Sequence, residues 1–116
     1  KQYKEAIQYF GNVVAIRPKG MNGWNELIRC LYTIGQYNEA LKQTTIAFKM
    51  TNEKPIFLFY IAIILLAMKK VKEALLRLEE ALQIEPKLVK KVIALDLTIL
   101  QNAQVVALIS RYKKKE

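Results

Sequence analysis

The segments Tyr3-Lys4-Glu5-Ala6-Ile7, Tyr37-Asn38-Glu39-Ala40-Leu41 and Val71-Lys72-Glu73-Ala74-Leu75 are each displaced from the last by 34 residues. The register continues beyond them, aligning Val13 with Ala47 and Ala81, Ile16 with Met50 and Ile84, and Pro18 with Pro86. A strict period of this length marks a stacked helical array, in which each unit buries its apolar face only against its neighbours. The expected fold class is therefore all-α. The chain is expected to begin at the second half of a repeat and so to be a piece of a longer protein.

Composition agrees with a folded, helical chain. Of the 116 residues, 53% are hydrophobic and 25% charged, and only three prolines and four glycines interrupt them, too few for a many-turned β fold. Histidine is absent, which removes the commonest general base, the commonest metal ligand and every Ser-His or Cys-His pair. The single cysteine, Cys30, has no intramolecular partner and no zinc-type spacing, and reads as an apolar filler in a reducing, cytoplasmic setting. The expectation is no catalytic residue, no metal and no cofactor.

Apolar residues recurring at three and four place helices over about 2–16, 23–32, 37–50, 55–68 and 71–84, with Pro18, Gly35, Pro55 and Pro86 at their ends. Residues 87–100 read as one further helix, 101–103 as a turn and 104–112 as a last helix. Small residues at Ala6, Ala40, Ala47, Ala74 and Ala81 are expected where helix backbones approach closely.

The residues Trp24-Asn25-Glu26-Leu27, Leu31, Gly35-Gln36-Tyr37, Glu39-Ala40 and Ala47 follow the Trp, Leu, Gly, Tyr, Ala pattern of the tetratricopeptide repeat, which the chain resembles. Leu58, Ala62, Leu65, Glu73-Ala74, Leu78, Ala81 and Pro86 repeat the match. Departures are Ile28 where a small residue is usual, Thr44 in place of an aromatic, Asn52 in place of proline, and Asp96. The resemblance implies a right-handed α-α superhelix of seven antiparallel helices forming one domain over 1–116. A half repeat at 1–20 and repeats at 21–54 and 55–88 would be followed by a degenerate capping pair at 89–116.

It also implies a concave groove, lined by the first helix of each pair, that holds a peptide or helix of a partner protein. On that layout Asn22, Asn25, Arg29 and Tyr32 form a polar end able to fix a peptide backbone. Phe59, Ile63 and Leu66, joined by Ile93 and Leu97 with Leu100 next in line, form a greasy end. The carboxylate clamp used by some members is not expected, because 55–68 contains no Lys, Arg or Asn.

The run Ile56 to Met68 is apolar on every face, and a helix apolar all round is normally buried all round. Thirteen residues of helix reach about 20 Å, short of a bilayer core of about 30 Å, so a membrane span is not expected. Leaving Phe59, Ile63, Leu66, Ile93, Leu97 and Leu100 wet would forfeit on the order of 10 kcal/mol as an upper figure. Three coverings compete: a partner segment, a second copy of the chain, or its own C-terminal helix or further parts of a longer protein.

The functional expectation is thus a non-enzymatic scaffold for a protein or peptide. The alternatives are a homodimerisation module or a regulatory segment of a larger enzyme. The net charge of +9 attracts acidic partners, but lysines in turns and a tail are ordinarily a solvated surface, and no nucleic-acid motif accompanies them. Trp24 is expected as a core anchor, Glu79 and Glu80 as solvated charges, and Asp96 as a salt link to a lysine.

Overall fold

Turn residues set where the periodic apolar positions become helices. In the computed structural model, which describes residues 2 to 113, the helices are α1 (Tyr3–Ile16), α2 (Met21–Thr33), α3 (Tyr37–Met50), α4 (Pro55–Ala67), α5 (Val71–Ile84), α6 (Val89–Ile93) and α7 (Ala103–Lys113). Two 3-10 turns, Pro86–Leu88 and Leu97–Gln101, flank α6. Among the described residues there is no strand, and no helix is long and apolar enough to cross a membrane. The chain divides into two compact units, Lys1–Phe57 and Leu58–Glu116, the division falling inside α4.

In the first unit α1 packs on α2 and α2 on α3. Pro18 ends α1 by forcing the residue before it out of the helical region, and Arg17 accordingly has φ −125° and ψ 70°. Trp24 then locks the turn. Its ring is buried and its Nε1 donates to the Pro18 carbonyl at 2.8 Å, the arrangement that lets a large indole sit in a core without an unpaired N–H. Immediately before it, Gly23 lets α1 and α2 touch: a Cβ there would lie 2.8 Å from Val13 Cγ1 and 3.1 Å from Val14 Cγ1.

The small residues behave as expected on α3 and α5, where Ala40, Ala47, Ala74 and Ala81 are all buried. Ala6 on α1 is only half-buried. Thr44, in the place of an aromatic, is fully buried, and its hydroxyl is satisfied by the Ala40 carbonyl at 2.6 Å.

The exits from α1, α3 and α5 differ for a local reason. Pro18 and Pro86 end theirs with a preceding residue outside the helical region. At the repeat-equivalent Asn52 the chain instead turns left-handed, φ 58°, and the Glu53 N–H reaches back to the Phe48 carbonyl at 2.7 Å. This closes a Schellman motif that proline, lacking φ freedom, could not form.

In the second unit α5 packs on α7 and on the 3-10 turn Pro86–Leu88, and α6 on the two turns beside it. The single helix expected over 87–100 is not formed. Asp96 adopts an extended conformation (φ −156°, ψ 98°), and its carboxylate accepts from the backbone N–H and hydroxyl of Thr98. Asp competes for backbone donors in this way and starts a new turn instead of continuing a helix. Asn102 does the same for α7, its Oδ1 accepting from Gln104 and Val105 N–H groups at 2.9 and 3.1 Å.

Candidate functional site

The residues expected to bind a partner fall in different units, and each is described within its own. On α2, Asn22, Asn25, Arg29 and Tyr32 follow at spacings of three and four and so share one helix face. Asn22 and Arg29 are exposed and Asn25 is half-buried, while Tyr32 is buried with its ring 5.2 Å from that of Tyr37. The Oδ1 of Asn25 is buried and accepts no hydrogen bond. A buried acceptor without a donor costs about 1–3 kcal/mol, so the Asn25 side chain is held in this position at a cost to the first unit.

The greasy end is a correction. Phe59 and Ile63 are 1% and 3% exposed and belong to the core of the second unit, not to an open groove. With Leu66 they surround a void of only about 10 Å³, closed by Val92 and Ile93 of α6, Ile99 of the following turn, and Val105 and Ile109 of α7. The chain's own C-terminal elements thus cover the Phe59 face. Breaking the expected 87–100 helix is what allows this, since Val92 and Ile93 come from α6 and Ile99 from the separate turn after Asp96. Leu97, by contrast, is 66% exposed beside the Asp96 turn and joins none of them.

α7 is held on α5 chiefly by burial of Val105 and Leu108. At the rim, Glu79 accepts from Arg111 at 3.2 Å and from the Tyr112 hydroxyl at 3.1 Å. Glu80 faces elsewhere and pairs with Arg77 at 2.9 Å. The two neighbouring acids therefore do separate structural jobs.

Two surface depressions in the second unit were not read from the sequence. A shallow groove of about 470 Å³ between α5 and α7 is lined by Leu75, Leu76, Ala107 and Leu108, with Glu79 and Arg111 at its edge. A cleft of about 480 Å³ has Leu82, Val89, Ile93, Leu100 and Ile109 as its floor and Lys87, Lys90 and Lys113 around it. The Asp96-Leu97-Thr98 sequence was the available signal for the second, because an Asp two residues before Thr is a turn-forming pair. Lys114 and Lys115, grouped with Lys113 as part of the basic tail, lie outside the described residues.

Cys30 is buried on α2, and its thiol is pushed above the ordinary value of 9.0 by desolvation and then by the nearby Glu26 carboxylate. That is the environment of an inert thiol. No group of three or more metal-ligating side chains occurs among the described residues. Compared with family models, curated proteins and solved structures, the chain matches none.

Proposed function

We propose that this chain is a tetratricopeptide-type scaffold that binds an extended peptide or a helix of a partner protein along the face of α2. The observation that carries the reading is the polar face of α2, where the exposed Asn22 and Arg29 flank the half-buried Asn25, whose enclosed Oδ1 has no partner among the described residues. An extended peptide offers a backbone N–H every second residue on each side, and turning the half-buried Asn25 side chain outward would bring its enclosed Oδ1 to one such donor. Asn22 supplies a further amide, and Arg29 a fixed positive charge for an acidic side chain or a carbonyl. The mechanism is capture on a preformed surface, with no chemical step.

The 34-residue register in the helices supports the repeat assignment. The placement of Trp24 and Gly35 at the two ends of α2 supports it too. The test is a selection of random twelve-residue peptides on the immobilised chain, followed by anisotropy titrations of enriched sequences. Asn25→Ala and Arg29→Glu are expected to weaken binding by about tenfold or more, the cost of about 1.4 kcal/mol for each lost contact. Affinities unchanged by both substitutions would reject the α2 face.

A further inference from the structure

We propose that the cleft beneath α6 binds a monomeric single-chain amphiphilic anion, such as an alkyl carboxylate, with its tail on the aliphatic floor and its head among Lys87, Lys90 and Lys113. The volume of about 480 Å³ lies within the range of about 300–1,000 Å³ typical of small-molecule sites. Its chemistry is what selects the ligand. The floor is made of Leu82, Val89, Ile93, Leu100 and Ile109, none of which can hydrogen-bond through its side chain. A peptide backbone or a polar ring entering there would lose water without recompense, whereas an alkyl chain loses nothing.

The rim supplies the other half of the specificity. Every charged residue lining the cleft is a lysine, and none of the three has an ion-pair partner among the described residues. Lysine offers a point charge and rotatable donors, not the planar fork of arginine, so it suits a compact head group without fixing its geometry. Low-dielectric walls beside these charges strengthen their field at the mouth.

The cleft exists because the chain breaks at Asp96. Ile93 before the break and Leu100 after it both line the same floor. Val89, Ile93 and Ile109 also line the closed void against Phe59, so the floor of the cleft is the outer wall of the unit's core. A membrane surface would require apolar groups that project outward, whereas Leu82 and Val89 of the floor are buried and only Leu100 is exposed. This inference is independent of the α2 reading and uses none of its residues.

The test is calorimetric titration of the whole chain with octanoate, decanoate and dodecanoate below their micelle-forming concentrations, each beside the alkyltrimethylammonium of equal length. One site per chain is expected, with affinity rising roughly fourfold per methylene and the anion favoured over the cation by about tenfold or more. The double variant Lys87→Gln, Lys90→Gln should weaken decanoate by about fivefold or more with unchanged far-UV circular dichroism. Leu100→Asn, at a side chain already 42% exposed, should weaken it without unfolding. Equal binding of anion and cation, many weak sites, indifference to these variants, or binding to anionic vesicles without binding of monomeric alkanoate would each overturn the proposal.

Discussion

Gly35 and Lys69 occupy the same point of the same turn, 34 residues apart, with φ of 82° and 67°. In both, the next N–H reaches back five residues, Gln36 to the Leu31 carbonyl and Lys70 to the Leu65 carbonyl, each at 2.9 Å. This is the Schellman closure, which asks for a left-handed residue that glycine adopts without penalty and lysine does not. Lys69→Gly is therefore expected to raise stability by about 0.5–1 kcal/mol, and Gly35→Ala to lower it by about 1–2 kcal/mol. Urea unfolding of both variants checks the pair. Opposite signs are required.

Two other glycines separate packing from propensity. A Cβ at Gly23 would meet Val13 at 2.8 Å, while one at Gly11, inside α1, meets nothing within 4 Å. Gly23→Ala is expected to cost about 1–3 kcal/mol by overpacking, and Gly11→Ala to gain about 0.5–1 kcal/mol by helix propensity. Thermal unfolding of the two single variants distinguishes them.

Phe59→Glu probes the covering of α4. Because α6 and α7 enclose Phe59, a carboxylate there would be buried with only aliphatic neighbours around the void. The second unit is expected to lose about 3–5 kcal/mol, seen as lost helicity and raised hydrogen exchange in α7. Glu79→Ala, by contrast, breaks two links at the rim, to Arg111 and to the Tyr112 hydroxyl, and should cost about 1–2 kcal/mol. A well-folded Phe59→Glu monomer would contradict the enclosure.

These cases also mark what the sequence could disclose. The repeat period located α3 and α5 to the residue, because the Glu-Ala core and the flanking turns agree in phase. The apolar run of α4 signalled burial correctly, since 1.5 Å per residue and an all-round apolar surface admit little else. What covers α4 was not legible. That depends on Asp96 capturing the Thr98 N–H, a local hydrogen bond that outcompetes an otherwise helical apolar pattern. On α2, the sequence supplied the residue types of the candidate face, but only burial distinguishes Asn25 Oδ1 from the exposed Asn22.

Cys30 gives a pH-linked prediction. Burial and Glu26 raise its folded pKa, so the neutral thiol favours the folded state. The contribution is complete below the unfolded thiol pKa and is lost as pH rises from there through the folded value. At pH 8 a disulfide reagent is expected to react with the folded chain at least about tenfold more slowly than with the chain in urea. Equal rates would place the thiol at the surface.

The most direct test of the account is backbone amide hydrogen exchange of the chain with and without a selected peptide bound at saturation. The account predicts that protection gained on binding concentrates in α2, from Asn22 to Tyr32, and that Asn25→Ala removes it. Protection gained only in 86–113, or none on α2, would contradict the α2 face as the partner surface.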